Sequence, residues 1–255
     1  MDRIMPPRFL RTSQIAKAVG AHPNTVRLYE EWGFLPPIPR GPNGYRQFTE
    51  RHLDQMRLAW TALHEQVPAK PLLIPVVRMA AANDLGGALE LAYSYLARVR
   101  AERVQAEAAV EFLEQWAQGK PIDATPQPLR IGEVAQRLGV TRDMLRNWDR
   151  NGLLTVPRDP VSGYRQYGPA EIGRVRVIRM LRQAGYSIMA ILRMVIQFDQ
   201  GQRQNLRETL DTPRPDEDVY YAADRWLSAL DEGERRALVV ISQIQAMIAK
   251  EYRAG

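Results

Sequence analysis

The sequence predicts a mainly α-helical protein in which two copies of a helix-turn-helix unit are joined by long coiled-coil helices. Residues 10–53 align with residues 129–172 at a constant offset of 119. Each copy holds two short amphipathic segments separated by a turn that contains glycine, as expected for a helix-turn-helix. Between the copies, residues 86–118 repeat apolar side chains at coiled-coil spacing.

The internal repeat consists of identical residues at equivalent positions in the two copies. In the first copy they are Leu10, Arg11, Ala16, Gly20, Arg27, Gly33, Leu35, Gly44, Tyr45, Arg46 and Gln47. Each recurs 119 residues later, from Leu129 to Gln166. The gapless alignment predicts two domains with the same fold.

The first two helices of each copy are predicted from their boundaries. In the first copy, Gly20 ends one helix and Pro23 occupies the first turn of the next, where a missing N–H costs nothing. That second helix is expected to run to about residue 32. In the second copy Thr141 is the predicted N-cap, and Gly152 ends the helix as Gly33 does in the first copy.

A small β-hairpin, or wing, is predicted after each helix pair. Asn43-Gly44 and Ser162-Gly163 are turn residues that tolerate positive φ. Residues 45–48 and 164–167 are the short strands predicted to follow. An aromatic residue beside an arginine at such a loop tip suits contact with a phosphate backbone.

Positive charge is concentrated in the two copies. Residues 1–60 hold 9 basic and 5 acidic side chains, and residues 127–198 hold 12 and 5, whereas the remaining segments are net acidic. Two basic blocks separated by acidic spacers indicate two surfaces that face a polyanion, most simply nucleic acid. The sequence contains no cysteine, and its three histidines are scattered. We therefore expect no metal site, no cofactor and no enzymatic activity.

Both copies resemble the N-terminal DNA-binding domain of the MerR family of bacterial regulators. The resemblance rests on TSQIAKAVGAHPNTVRLYEEWGFLPP followed by GYRQF, and on IGEVAQRLGVTRDMLRNWDRNGLL followed by GYRQY. It implies two winged helix-turn-helix domains, which we call the first head (residues 8–82) and the second head (residues 129–200). The first head carries Pro68, Pro71 and Pro75 where the second has an uninterrupted helical pattern. Its last two helices are therefore expected to be shortened or reshaped.

The resemblance implies that the second helix of each head enters the major groove and that the wing contacts phosphates. In the first head the candidate DNA contacts are Asn24, Thr25, Arg27, Tyr29, Arg40, Tyr45 and Arg46. In the second head they are Arg142, Arg146, Trp148, Arg158, Tyr164 and Arg165. Because the two recognition helices differ in sequence, the expected operator is an imperfect palindrome at best.

Several of these residues have an alternative interpretation that needs no DNA. Tyr29 and Trp148 lie near the helix ends and suit packing against the wing. Arg27 and Arg146 are three residues before Glu30 and Asp149, at a spacing that favours ion pairs. The wing arginines, in turn, suit a solvated loop tip.

Long helices are predicted outside the heads. Residues 83–118 form a coiled-coil helix of about 50 Å, with Arg103 interrupting its apolar seam, and residues 119–128 form a proline-rich linker. The C-terminal segment, residues 201–255, contains a second striped helix over about 233–252. MerR-family regulators are typically dimers joined by an antiparallel coiled coil. We therefore expect one chain to imitate that dimer, with a true homodimer of four heads as the alternative.

The function implied is a transcriptional regulator that distorts double-stranded promoter DNA and so acts indirectly on RNA polymerase. Architectural or recombination-accessory DNA bending is the alternative, and the promoter location of binding sites separates the two. A partner-binding protein whose heads have lost DNA binding is a third possibility. No signal peptide and no membrane span are evident, so a cytoplasmic protein is expected. The effector is unknown, although Tyr220, Tyr221 and Trp226 are candidates for an apolar pocket, or simply for packing.

Overall fold

The computed structural model describes residues 9–64, 69–120, 127–213 and 222–254. In these residues the chain is mainly helical, as the sequence predicts. It divides into two compact units. Unit 1 comprises residues 1–100 and 231–255, and unit 2 comprises residues 101–230. Among the described helices none has the length and apolar character required to cross a bilayer.

Four α-helices lie in the described residues of the first head. They are α1 (Thr12–Val19), α2 (Pro23–Glu31), α3 (Glu50–Leu63) and α4 (Leu73–Ala81), with a 3₁₀ turn at Lys70–Leu72. The short helix α1 begins where Gln14 Oε1 accepts the backbone N–H of Arg11 at 2.8 Å. Helix α2 begins at Pro23, as predicted, and His22 Nδ1 accepts the N–H of Asn24 at 3.2 Å. Both bonds satisfy backbone donors that a helix N-terminus leaves open.

The second head repeats this order. Long helix α5 (Leu85–Ala117) is followed by α6 (Ile131–Leu138), α7 (Arg142–Arg150), α8 (Pro169–Gln183) and α9 (Ile188–Asp199). The predicted N-cap is confirmed, because Thr141 Oγ1 accepts the N–H of Met144 at 3.0 Å.

The last two helices of the heads differ as the proline pattern predicts. Helix α4 has 9 residues and α9 has 12. Residues 64–72 lie between α3 and α4, whereas residues 184–187 alone join α8 to α9. Proline disfavours helical continuation because it lacks an N–H and clashes with the preceding turn. The first head therefore keeps the helix pair but shortens its second member.

The turn between the first two helices of each head depends on a left-handed glycine. Gly20 has φ +69° and Gly139 has φ +61°, a conformation that costs glycine little and other residues more. In both heads the turn is three residues long, and the residue after the glycine donates its N–H back into the first helix, at 2.9 and 3.0 Å. The same turn geometry therefore sets the two helices of each pair.

The wings are smaller than the predicted strands. In each head they reduce to isolated antiparallel bridges, Arg40 with Arg46 and Leu10 with Phe48 in the first, and Arg158 with Arg165 and Leu129 with Tyr167 in the second. In each head the bridge to the residues before the first helix carries two backbone hydrogen bonds. They join Leu10 to Phe48 in the first head and Leu129 to Tyr167 in the second. A tight loop held by paired bonds thus replaces a regular hairpin.

The gapless alignment of the two copies is wrong inside the wing. Gln47 donates its N–H to Pro39 O, and Gln166 donates its N–H to Pro157 O. The two donors are offset by 119 residues, whereas the two acceptors are offset by 118. The first head has one residue more before the wing, and the second has one more in the wing turn. Arg40 and Arg158 are consequently structural equivalents although they do not align in sequence.

Helix α5 carries the predicted apolar seam. Five residues at intervals of seven are buried: Leu85, Ala92, Val99, Ala106 and Leu113. Such a repeat keeps one face of a helix against a partner. The C-terminal helix, α11 (Trp226–Ala254), is longer than the predicted 233–252 and buries Ala237, Val240, Ile241, Ile244 and Met247.

Within unit 1 these two long helices pack antiparallel. Arg100 Nε lies 2.8 Å from Glu234 Oε1, and Gln245 Nε2 lies 3.3 Å from the hydroxyl of Tyr93. Arg100, the later of the two α5 residues, thus meets Glu234, the earlier of the two α11 residues. Within unit 1, helices α5 and α11 therefore run in opposite directions.

In unit 1 the end of α11 packs on helix α3 of the first head. Lys250 Nζ lies 2.6 Å from Asp54 Oδ2, and Gln243 Nε2 donates to Thr61 Oγ1 at 3.1 Å. In unit 2 the end of α5 packs on the second head, where Trp116 stacks on Phe198 with ring centroids 4.2 Å apart. In unit 1 the helix that packs on the first head is α11, which follows the second head along the chain. In unit 2 the helix that packs on the second head is α5, which follows the first head.

The described residues between the second head and α11 pack on that head. Helix α10 (Leu206–Asp211) contacts α9, and buried Arg193 donates to the carbonyls of Thr209, Leu210 and Asp224 at 2.9–3.3 Å. Trp226 Nε1 donates to Ala184 O at 2.6 Å. Trp226 thus packs against the head, the alternative considered for it. The other two aromatic candidates for an effector pocket, Tyr220 and Tyr221, lie outside the described residues.

Replacing Tyr167 with phenylalanine is expected to raise the free energy of unfolding by about 1 kcal/mol. Its ring is fully buried, burial raises the pKa of its hydroxyl, and that hydroxyl has no hydrogen-bond partner among the described residues. The equivalent residue, Phe48, lacks the hydroxyl, so Phe48→Tyr is expected to lower the same quantity. Urea denaturation measures both, and a destabilised Tyr167→Phe variant would show that the hydroxyl is hydrogen-bonded.

Candidate nucleic-acid interface

The recognition helices α2 and α7 each present one arginine held by a residue one turn earlier. Arg27 donates to Asn24 Oδ1 at 3.1 Å, and Arg146 donates to Asp143 Oδ1 at 2.9 Å. All four side chains are exposed. The sequence alternative, in which these arginines pair with the carboxylate three residues later, is wrong in both heads. The arginines stay on the outer face of the helix, where they can reach a nucleic acid.

Tyr29 and Trp148 do not face outward. Tyr29 is 6% exposed and Trp148 is 5% exposed. The ring of Tyr29 packs edge-on against Phe34, with centroids 5.4 Å apart, and burial raises the pKa of its hydroxyl. Because both rings are packed in the core, they do not lie on the surface that could contact DNA. This corrects the expectation that these two aromatic residues contact DNA.

The wing arginines are anchored to the recognition helices by carboxylates. Arg46 Nε lies 2.6 Å from Glu30 Oε2, and Arg165 Nε and Nη2 lie 2.8 and 2.6 Å from Asp149 Oδ2. The side chains of both arginines keep about a quarter or less of their surface exposed, 21% and 26%. Because Arg46 pairs through Nε, its two terminal nitrogens have no partner within the described residues. A guanidinium oriented in this way can donate to phosphate oxygens.

The tips of the wings expose aromatic rings. Tyr45 is 74% exposed and Tyr164 is 63% exposed. The guanidinium of Arg130 lies 5.5 Å from the centroid of the Tyr164 ring. Such exposed rings beside cations suit contact with a sugar-phosphate backbone. Arg40 and Arg158 instead close the wing turns, donating to Gly44 O at 3.2 Å and Gly163 O at 3.1 Å.

An aspartate organises the second wing turn. Asp159 accepts the backbone N–H groups of Val161 and Ser162 and the side chain of Gln166, at 2.6–3.1 Å. Hydrogen bonds from Ser162 lower the pKa of Asp159 from its usual range. In the first wing Asn43 has a smaller role, accepting the N–H of Tyr45 at 3.2 Å. The extra residue of the second turn is thus held by a carboxylate.

The remaining candidates lie at the start of the recognition helices. Thr25 is half-buried, whereas Arg142 is exposed and its guanidinium lies over Gly132 of α6. No group of three or more His, Asp or Glu residues with the proximity needed for a metal ion occurs in the described part of the chain.

The sequence reasoning missed the anchoring role of Glu30 and Asp149. It treated them as partners for Arg27 and Arg146 along the helix. Both are acidic and occur at the same position of the repeat, and this was the available signal. Pairing each with the wing arginine, 16 residues away, required the three-dimensional structure.

Family models match both heads. Residues 129–196 match the MerR HTH family regulatory protein model, and residues 11–48 match the MerR family regulatory protein model. The matched segments contain both recognition helices and both wing arginines. The match in the second head continues through helix α8 and most of α9, whereas the match in the first head ends with the wing.

Curated relatives resemble parts of the chain. It is 32% identical to nodulation protein NolA of Bradyrhizobium sp. over 42% of this chain and 53% of the relative. The identity is 33% with the HTH-type transcriptional regulator AdhR of Bacillus subtilis (29% and 54%) and 32% with a mercuric resistance operon regulatory protein of Bacillus cereus (24% and 47%). The chain thus spans about half the length of these relatives. No solved structure gives a significant match.

Proposed function

Because the chain carries two MerR-family domains in tandem, we propose that it is a transcriptional regulator that binds promoter DNA with both heads of a single chain. The operator is asymmetric, since each recognition helix presents different side chains. The protein distorts the DNA between the two half-sites and in that way acts on RNA polymerase at the promoter.

The observation that carries the single-chain arrangement is the packing of the long helices. In unit 1 the end of α11 packs on the first head, through Lys250 and Asp54. In unit 2 the end of α5 packs on the second head, through Trp116 and Phe198. Each head is thus supported by a helix from the other half of the repeat, as in a dimer whose subunits exchange helices. One chain supplies both sets of contacts, which favours a monomer over a homodimer.

DNA distortion requires that both heads bind at once. Bending a site of 20–30 base pairs costs of the order of 1–6 kcal/mol, and contacts from both heads are needed to offset that cost. The anchored guanidiniums of Arg46 and Arg165 support this mechanism. They are held in place before binding, so less side-chain entropy is lost when phosphates are contacted.

Light scattering of the purified protein, alone and bound to a selected operator, tests the proposal. The expected result is one 29.1 kDa chain in solution and one chain on a site of about two major-groove turns. Two chains per site would contradict the single-chain arrangement and indicate a longer operator bound by four heads. Failure of both heads to bind any selected duplex would contradict the function itself.

Exchanging one residue between the recognition helices is expected to change base preference in one half-site only. Asp143→Asn gives the second head the amide that the first head has at Asn24, and it removes a negative charge that faces the DNA. We expect a roughly threefold to tenfold gain in affinity and an altered preference in the second half-site. An aspartate accepts from cytosine, whereas an asparagine pairs with adenine.

The reciprocal variant, Asn24→Asp, provides the control for this exchange. It is expected to weaken binding and to alter the first half-site. Selection from randomised operators, followed by anisotropy titrations at fixed salt, measures both variants. Altered preference in both half-sites after a single substitution would contradict the assignment of one head to one half-site.

We do not expect this chain to sense an effector through a thiol. The chain contains no cysteine, so it has no thiolate with which to bind mercury or another soft metal. Any effector is expected to be recognised by other chemistry.

A further inference from the structure

The two heads contain equivalent cavities of very different size. In the first head, the cavity lies among helix α3, the end of α4 and Met247 of α11, and measures about 220 Å³. In the second it lies among α8, the end of α9 and Trp116 of α5, and measures about 620 Å³. Three cavity residues of α3 (Arg51, His52 and Gln55) correspond at the offset of 119 to three of α8 (Ala170, Glu171 and Arg174).

The first cavity is lined by residues that are already bonded or packed within unit 1. Gln55 Nε2 donates to Phe34 O at 3.1 Å and to Val77 O at 3.0 Å. The end of α4 contributes only alanines and Asn83. Arg51 pairs with Glu251 at 2.8 Å, and no Phe, Tyr or Trp of the described residues lines this cavity.

The second cavity has aromatic residues at the corresponding places. Phe198 stands at the end of α9, and Trp116 stacks on it with the ring planes 18° apart. The indole lies over Gly173 of α8, where a Cβ atom would come within 3.1 Å of Nε1. Both rings are only partly buried, so part of each aromatic surface faces the cavity. The glycine thus makes room for a ring that enlarges the aromatic wall.

Two guanidiniums lie close to the Phe198 ring. Arg174 is 5.8 Å and Arg203 is 5.2 Å from the ring centroid. Arg174 is neutralised by an ion pair with Asp199, and Glu171 accepts the N–H of Gly168 at 2.9 Å. Within the described residues Arg203 makes no hydrogen bond or ion pair, so its charge remains available. A cation beside an aromatic face is a combination that binds flat anions.

We propose that the cavity of the second head binds a planar aromatic molecule that carries one acidic group. The ring system packs against the exposed edges of Trp116 and Phe198, and the acidic group pairs with Arg203. The volume lies within the roughly 300–1,000 Å³ of typical small-molecule sites. The first cavity falls below that range and lacks the aromatic wall, so one ligand binds per chain.

Calorimetric titration of the full chain without DNA tests this proposal with three probes of similar shape: 2-naphthoate, 2-naphthalenemethanol and 2-naphthylmethylammonium. The expected order of affinity is naphthoate, then the alcohol, then the cation, with one naphthoate bound per chain. Arg203→Ala is expected to weaken naphthoate roughly tenfold, which corresponds to about 1.4 kcal/mol, and to leave the alcohol nearly unchanged. Phe198→Leu keeps the apolar volume but removes the ring, so it is expected to weaken both.

Arg207→Ala is the matched control. Arg207 is an exposed arginine of the same unit that pairs with Glu114 and does not line the cavity, and its replacement is expected to leave naphthoate affinity unchanged. Thermal denaturation of each variant verifies that it is folded. The proposal is overturned if naphthoate shows no saturable binding, if the cation binds as tightly, or if Arg207→Ala weakens naphthoate as much as Arg203→Ala does. Because no DNA is present, the outcome is independent of the proposed regulatory function.

Discussion

Replacing Arg46 or Arg165 with alanine is expected to weaken binding to the full operator roughly 100-fold, or about 2.7 kcal/mol. Two effects combine. The variant loses a charge-assisted hydrogen bond to phosphate, which typically contributes about 1.5–3 kcal/mol. It also leaves Glu30 or Asp149, the former partner, as an unpaired carboxylate facing the polyanion. Anisotropy titrations at several salt concentrations measure the loss, and the salt dependence should fall by about one released counterion.

Two further variants separate these effects. In Arg46→Ala with Glu30→Gln the exposed carboxylate is gone, so part of the lost affinity should return. Arg235→Ala removes an exposed arginine of α11, outside both heads, and is expected to leave affinity unchanged within about twofold. An Arg46→Ala variant that binds like this control would show that the first wing does not contact DNA.

Replacing Val99 with aspartate is expected to destabilise the protein by several kcal/mol, and to abolish DNA binding although Val99 belongs to neither head. Val99 is completely buried in the apolar seam of α5, next to the Arg100–Glu234 ion pair with α11. An unpaired carboxylate there must be desolvated or protonated, at a cost of several kcal/mol. Since α11 also packs on the first head, separation of the two long helices should remove that support.

Val104→Asp is the matched control for this prediction. Val104 lies on the same helix but is 63% exposed, so its replacement should change stability by no more than about 0.5 kcal/mol. Urea denaturation and a band-shift titration with the full operator measure both variants. If Val99→Asp unfolds at the same urea concentration as the unsubstituted protein, the seam does not hold the long helices together.

The sequence predicted the helices well because their signals are local. Gly20, Pro23 and Thr141 act on their own backbone and mark boundaries that the structure reproduces within a residue. The heptad repeat located α5 in the same way. Strands at 45–48 and 164–167 were overestimated, because cross-strand pairing depends on the whole loop and not on β propensity alone.

The candidate DNA contacts were predictable only in part. Identical residues at equivalent positions identified Arg27 and Arg46, but identity does not distinguish a surface residue from a core residue. The aromatic pair Tyr29 and Trp148, which is similar but not identical in the repeat, was selected in the same way and lies in the core. The one-residue shift within the wing was hidden because an insertion and a deletion cancel over a few residues. The backbone hydrogen bonds of Pro39 and Pro157 reveal it, as do the bridges of Arg40 with Arg46 and of Arg158 with Arg165.

Each head is supported by the long helix that follows the other head. This arrangement affects how the occupancy of the operator depends on the concentration of the proposed regulator. A dissociable dimer must assemble before it binds, so its operator occupancy at low copy number falls more steeply than in proportion to its amount. In a single chain the second head is tethered at high effective concentration once the first has bound. Occupancy then follows the first power of protein concentration, and a cell with very few copies can still keep the operator bound.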